Sequence, residues 1–369
     1  MAVGFPTKSN WSAGDILTAA QMDDLAGTVN LLQYSAFPIM AGKNAIINGG
    51  MDIWQRGTSV ALAASSTNIY TSDRWTTTTL TNQAVTVSRQ ATSDTTNLPN
   101  IQYCLRYQRN SGQTGTGGLY IVQSLETANS IPFAGKAVTF SFYARAGANF
   151  SSASNILSAT VYSGTGTDQN RLVAAYTGDA TVATSNVTLT TTWQRFTLTG
   201  TVASTTTELA VSFGYSPTGT AGANDYFEVT GIQLELGSTA TTFSRAGGSI
   251  GGELALCQRY YWRQTGSAVF TSFGFGAAST TTAAQFGIKL PVTMRIVPNA
   301  LDQQTAANYR LSDNVTGTAV SATLTIDSTS TVDWVPINAT VAAGLTAFRP
   351  YWLQSNNVAN NYIGVSAEL

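Results

Sequence analysis

The side chains able to do chemistry are few, and the gaps among them are as informative as the residues present. No histidine occurs in the 369 residues. That removes Ser-His-Asp and Cys-His nucleophilic catalysis, His-ligated zinc and imidazole-based pH sensing together. The two cysteines, Cys104 and Cys257, are too few for a disulfide framework and lack CxxC spacing, so both are expected to be buried small apolar side chains. Glycan cleavage needs two carboxyl groups about 5 to 9 Å apart. The 19 acidic residues are scattered with no pairing by spacing, so no catalytic residue is assigned and the chain is not read as an enzyme. Asp52, Asp225 and Glu228 are the oxygen ligands available for a structural Ca²⁺, but no dense Asp/Asn loop surrounds them. No metal or cofactor is assigned beyond that candidate calcium.

Aromatic side chains offer the other chemistry. Sugar recognition stacks aromatic faces on C–H bonds and uses amides and carboxylates for hydroxyls, and 7 Trp with 15 Tyr supply the material. Trp54, Trp75 and Trp193 fall in regular strand patterns and are expected in the core. Tyr103, Tyr107, Tyr120 and Tyr162 are candidates to face outward. Towards the C-terminus Tyr260, Tyr261, Trp262, Trp334, Tyr351 and Trp352 are dense. The candidate glycan- or receptor-binding set is Trp334, Trp352 and Tyr351, with Tyr120. Asp73 with Arg74, and Arg145 with Glu235, are expected to be structural ion pairs.

Charge is scarce, 18 Lys plus Arg against 19 Asp plus Glu for a net charge of -1. Nucleic acid and anionic membrane both need clustered cations, so neither is expected as a partner. No run of 18 apolar residues is present to insert into a bilayer. The opening Met-Ala-Val-Gly-Phe-Pro-Thr-Lys lacks the charged start and apolar core of a signal peptide. Low charge with abundant Thr, Ser, Gly and Asn describes a β-rich structural protein better than an enzyme.

The elements that must position these residues follow from periodicity. Residues 1–43 read as a helical attachment and oligomerisation segment. Thr18 and Gln21 fit a capping box, and Met22, Leu25, Val29 and Leu32 form a two-heptad a/d seam. Asn44 to Ser59 reads as the first strand of a β-sandwich, with Gly49-Gly50 marking a bulge or close backbone approach. Over 44–245 a two-residue period dominates, as in Ile101, Tyr103, Leu105 and Tyr107, and predicts an antiparallel sandwich or jelly roll. The apolar phase flips across Thr230-Gly231, which predicts a bulge there. Residues 246–263 read as a flexible Gly/Ser connector followed by a helix over Glu253 to Arg263, with Leu254, Cys257 and Tyr261 on one face. Residues 264–369 return to short strands and predict a small distal β domain. The fold class is therefore mainly β: an N-terminal helical segment, an antiparallel β-sandwich, a short linking helix and a small C-terminal β-sandwich domain.

Several segments also carry a resemblance: Asn-Gly-Gly-Met-Asp-Ile-Trp-Gln-Arg-Gly (48–57), Ser-Asp-Arg-Trp (72–75), Ala-Gly-Lys (134–136) and Ser-Phe-Tyr-Ala-Arg-Ala-Gly (141–147). Gly-Ile-Gln-Leu-Glu-Leu-Gly (231–237), Thr-Thr-Phe (241–243) and Glu-Leu-Ala-Leu-Cys-Gln-Arg-Tyr-Tyr (253–261) complete the set. In this order they resemble tailed-bacteriophage virion proteins, tail fibre or minor structural proteins, that carry a carbohydrate-binding-module-like jelly roll. The resemblance covers Asn44 to about Arg263 and is loose beyond it. It implies a homotrimer, held to other virion proteins through its N-terminal segment, with distal domains facing out towards a host surface glycan. The expected function is a trimeric tail fibre or tail-tip protein attaching to the host cell. A capsid head fibre or decoration protein is the alternative, and a glycan hydrolase a third reading.

Overall fold

The structure, a computed structural model, describes residues 42–80 and 83–369. The capping box at Thr18 and the seam of Met22, Leu25, Val29 and Leu32 lie outside the described residues. Within them the chain is mostly strand, and the two short α-helices are α1 (Thr127–Ser130) and α2 (Ile250–Gln258).

Two six-stranded antiparallel sheets face each other. One runs β1 (Ser59–Leu62), β4 (Val85–Ala91), β5 (Tyr103–Arg109), β12 (Tyr226–Leu236), β7 (Ala137–Ala146), β10 (Gln194–Thr201). The other runs β2 (Ile69–Tyr70), β3 (Thr76–Thr79), β6 (Leu119–Ser124), β11 (Glu208–Tyr215), β8 (Ile156–Gly164), β9 (Ala180–Thr188). Alternating apolar side chains turn inward from both, and Trp75, Leu105, Tyr107, Phe140, Phe142, Phe213 and Phe227 fill the space between. Tyr107, a candidate for the outer surface, is wholly buried, and its hydroxyl donates to Thr78 O over 3.0 Å. The predicted bulge is present: β12 slips register against β7 between Thr230 and Gln233, with Gly231 at φ 58°.

Residues 44–58 are not a strand, which corrects the sequence reading. Buried side-chain amides replace the ladder. Asn44 donates to Ile232 O and Ser244 O, Gln123 exchanges both its hydrogen bonds with Ile47, and Asn48 does the same with Ile53. Asn48 and Met51 both sit at positive φ, so the backbone turns rather than extends. The Gly pair does mark a close approach, since Ile232 N donates to Gly49 O over 2.9 Å.

A second body follows. Its seven-stranded sheet runs β18 (Gly317–Ala319), β17 (Tyr309–Ser312), β21 (Pro350–Ser355), β14 (Ser272–Ala278), β15 (Ala283–Lys289), β20 (Trp334–Thr340), β19 (Thr325–Ile326). A three-stranded sheet, β13 (Tyr261–Thr265), β22 (Tyr362–Ser366) and β16 (Ala300–Gln303), completes it. Phe273, Phe286, Ile288, Leu311, Val335, Ile337, Leu353, Ile363 and Val365 share its core. The connector before it is built rather than loose: Ser249 caps α2 by accepting from Gly252 N, and Glu253 accepts from Gly247 N over 2.8 Å. The helix ends at Gln258, two residues before β13, so Tyr261 belongs to a strand and not to the helix face with Cys257.

The two bodies are joined through buried charge. Arg74 pairs with Glu368, and Arg56 reaches the other oxygen of the same carboxylate at 3.3 Å. The Arg74 guanidinium lies 3.5 Å from the Tyr260 ring centroid and that of Arg56 3.5 Å from the Tyr261 ring centroid. Burial opposes the Arg74 charge, but Glu368, Tyr260 and Tyr70 outweigh it and raise its pKa. The expected Asp73–Arg74 pair is thus not the contact formed. Asp73 instead accepts from Gln55 N and Nε2 at 2.7 and 2.6 Å, and burial pushes its pKa up.

Two substitutions test these joints. Glu368→Gln leaves buried Arg74 without its counter-charge and should cost about 3–5 kcal/mol in urea unfolding. Arg56→Ala, on the less buried side, should cost clearly less. Gly49→Ala places a Cβ 2.1 Å from Ile232 O, and a thermal melt should show a loss of about 1–3 kcal/mol. Gly251→Ala, in open space on α2, should hold or raise the melting temperature.

Candidate functional site

Strand pairing brings two of the expected aromatic residues onto one surface. In the seven-stranded sheet the buried set Ala284, Phe286, Ile288, Val335, Ile337 and Ala339 alternates with an outer set. The register places Pro336, Gly287, Phe275, Trp352 and Ser312 directly opposite one another across β20, β15, β14, β21 and β17. This is a single row running across five strands. Phe275 is 53% exposed, and its ring centroid lies 4.8 Å from that of half-buried Trp352. Trp334, 44% exposed, stands two residues along β20 from Pro336, opposite Lys289, and its indole folds onto Gly287. A Cβ on Gly287 would lie 1.9 Å from Trp334 Cζ2, so glycine is what lets the ring lie against the sheet.

Polar side chains border part of this strip on each side, and on the first side Ala277 and Pro350 continue the edge across β14 and β21. On one side Asn338 pairs with Gln285, Gln285 Nε2 donates to Asn338 Oδ1 at 3.2 Å, and Asn338 Nδ2 donates to Asp327 Oδ2 at 3.0 Å. Hydrogen bonds from Thr329 and Asn338 hold Asp327 down at about 2. On the other side Gln354 pairs with Arg310, accepts from Arg310 Nε at 3.2 Å and donates to Ser272 Oγ at 3.2 Å. An apolar, partly aromatic strip between amide edges matches the two surfaces of a pyranose, its C–H face and its hydroxyl rim.

The remaining candidates lie elsewhere. Tyr351 points to the opposite face, is 3% exposed and belongs to the core, so it offers no stacking surface. Tyr120 is exposed on the outer face of β6 in the first body, its ring lying over Gly118 and Gly214. Trp54, Trp75 and Trp193 are buried, as are Tyr260, Tyr261 and both cysteines. Tyr103 and Tyr162 are half-buried beneath the guanidinium groups of Arg89 and Arg171.

The three calcium candidates are each held by arginine. Asp52 takes Arg245 at 2.7 Å, Asp225 takes Arg109 at 2.8 Å, and Glu228 lies between Arg106 at 2.6 Å and Arg145 at 2.5 Å. Register explains the last: Arg106 on β5 and Arg145 on β7 both stand directly opposite Glu228 on β12. Arg145 therefore does not pair with Glu235, which instead accepts from Thr241 N and lies 3.9 Å from Lys43. Among the described residues no three Asp, Glu, Cys or His side chains converge on a point that could hold a metal. A cleft of about 370 Å³ opens between the bodies near Arg56, Tyr70, Tyr261 and Asp302. Its polar groups are largely turned on one another, Tyr261 donating to Asp302 and Tyr70 to Leu369 O.

Phe275 and Gly287 were not identifiable from the sequence. In Ser-Phe-Gly-Phe-Gly, strict alternation would put Phe273 and Phe275 on the same face. The register shift between Ser272 and Gly274 sends Phe273 into the core and Phe275 outward.

With its acidic candidates neutralised in place, the fold should not respond to calcium. The melting temperature in excess chelator should equal that in millimolar calcium, and a calcium-dependent rise would show that one of these carboxylates exchanges its arginine for the ion.

No family model matches the chain, and no curated protein matches it. Among solved structures, 36% of the chain is similar to 71% of a CBM4 structure, at 19% identity and a TM-score of 0.26. A stretch of 53% is similar to 21% of a chain of the enzymatically active domain of bacteriophage CBA120 tailspike protein 4, at 14% identity and a TM-score of 0.32. A stretch of 47% is similar to 62% of a carbohydrate-binding module of the β-sandwich superfamily, at 13% identity and a TM-score of 0.32. The likenesses thus include carbohydrate-binding modules and a phage tailspike domain, each partial and distant.

Proposed function

We propose that the chain is a non-catalytic appendage protein of a tailed-phage virion, a homotrimeric tail fibre or tail-tip protein whose C-terminal body meets a glycan on the host cell. The observation that carries the binding role is the exposed row of Trp334, Phe275 and Trp352 between amide edges. The motifs between Asn48 and Tyr261 support the virion role, with residues 1–43 as the segment that attaches to other virion proteins and joins the subunits. The non-catalytic reading is supported by the occupation of the acids. Asp52, Glu126, Asp168, Asp225, Glu228 and Glu368 are each tied to arginine, which leaves a poor supply of carboxyl pairs for glycoside cleavage.

The double variant Trp334→Ala, Trp352→Ala should lose about five- to a hundredfold in adsorption to host cells, since each aromatic contact is worth about 0.5–1.5 kcal/mol beyond its buried area. Its oligomeric state should be unchanged. Unaltered adsorption would remove the row from function. Antibody against residues 264–369, viewed on particles by electron microscopy, should label tails. Label over the head would make the protein a capsid decoration, and release of reducing ends from host polysaccharide would make it a hydrolase.

A further inference from the structure

We infer that the aromatic row takes the interior of a linear, uncharged polysaccharide laid across the strands, not the end of a chain and not an anionic glycan. This rests on the reading of the row as a glycan surface and deepens it.

Three features of the surface carry the inference. First, the part of the row that reaches the surface, Gly287, Phe275 and Trp352, lies on a sheet face rather than in a pocket, while its end members Pro336 and Ser312 are buried. Strands spaced about 4.8 Å apart give these three strands a span of about 10 Å, and the Trp334 indole beside them widens it, so the surface exceeds a single sugar unit. A site for a terminal sugar would need walls around that sugar, and ligand pockets normally enclose most of what they bind.

Second, the aromatic surface steps from strand to strand. The Phe275 and Trp352 rings are neighbours at 4.8 Å but are inclined by 56°. The Trp334 indole continues the surface over Gly287, the residue paired with Phe275 on its other side. The twist of a sheet rotates successive strands in one sense. Stepped, rotated rings suit a chain whose successive units also rotate. Gly287 is therefore a positioning residue: it touches no sugar itself but sets the height of the indole.

Third, the charges bordering the row are mostly engaged by neighbours. Arg310 is bonded to Gln354 and Ser312 and lies 4.4 Å from the Phe270 ring centroid. Asp327 is bound by Thr329 and Asn338. Lys289 stands exposed at one end, opposite Trp334. A lone terminal cation does not make an anion track. The groups along the margins are the amides of Gln285, Asn338 and Gln354 and the hydroxyl of Ser272, which suit hydroxyl partners.

The test uses the full chain in affinity electrophoresis and tryptophan fluorescence with soluble linear glucan, xylan and mannan, and with polygalacturonate as the anionic counterpart. Oligosaccharide ladders run from monosaccharide to octasaccharide. Affinity for one of the neutral polymers is expected, rising at least tenfold between disaccharide and hexasaccharide and changing less than twofold between about 0.05 and 0.5 M salt. Gly287→Ala should weaken binding about tenfold by lifting the indole. Phe275→Ala, at an exposed position that does not test the fold, should do so as well. Tight binding of monosaccharides without a length dependence would overturn the inference while leaving a glycan role intact. Selective binding of polygalacturonate that falls steeply with salt would do the same. Failure to bind any of these polymers while the protein still adsorbs to host cells would overturn the inference alone. Failure to adsorb to host cells at all would overturn the underlying reading with it. A change of oligomeric state in Phe275→Ala would reassign the row to a contact between copies of the chain.

Discussion

Glu368, buried with Arg74 and Arg56, is the contact on which the arrangement of the molecule depends. Arg74 immediately precedes Trp75 in the core of the first body, and Glu368 follows β22, the central strand of the three-stranded sheet of the second. Both residues lie in irregular segments, but each adjoins a core residue, Trp75 and Ala367, so the link joins the two interiors. Arg74 sits at φ 70°, a conformation a large residue adopts only when its surroundings require it. The requirement is visible: its side chain must lie against the Tyr260 ring, reach Glu368 and donate to Ser124 O at once. A buried pair of this kind adds little net stability against an apolar substitute, yet losing one partner is costly. Its physical effect is to fix geometry, so the aromatic face is carried in a set direction relative to the sandwich.

The same economy governs the rest of the charge. Arg109 and Asp225 are wholly buried together, with Arg109 also donating to the carbonyls of Gln113, Gly115 and Gly219 and so closing one end of the sandwich. Arg106, Glu228 and Arg145 make a cross-strand triplet on its outer face. Arg259 ties the end of α2 to Glu126 beside α1, and Arg295 ties the second body to Asp168 of the first. A chain with few charges has used many of them to hold elements together.

The mainly β class and the bulge at Thr230-Gly231 were legible because each depends on a local pattern of period two, whereas Trp54, Trp75 and Trp193 are in the core as expected but none of them lies within a strand. Three features were not legible. Residues 44–58 have the apolar content of a strand, but their backbone is satisfied by Asn44, Asn48, Gln123 and Glu253, partners up to 205 positions away. Ion-pair partners were not legible for the same reason: Asp73 and Arg74 are neighbours in a turn yet bond to Gln55 and Glu368, and register places Arg106 and Arg145 opposite Glu228. Of the aromatic set, Trp334 and Trp352 were found by density alone. Their separation from Tyr351 needed the phase of β21, and their union with Phe275 needed the pairing of β14 with both β15 and β21.

Register is also what turns these residues into a surface. Trp334, Phe275 and Trp352 come from strands dispersed over residues 272–355, and none is adjacent to another in sequence. A one-residue slip in β20 or β21 would move its indole into the core and a core residue out, whereas Phe275 on β14 is flanked by Gly274 and Gly276. That slip is opposed from beneath, because Ile337 and Leu353 are fully buried at alternate positions of β20 and β21 and would have to be exposed. The hydrophobic core of the second body thus holds the aromatic row in alignment from the opposite face of the sheet. The exposed rings and Gly287 can change without disturbing that core, while a change in the core would shift every ring in the row together.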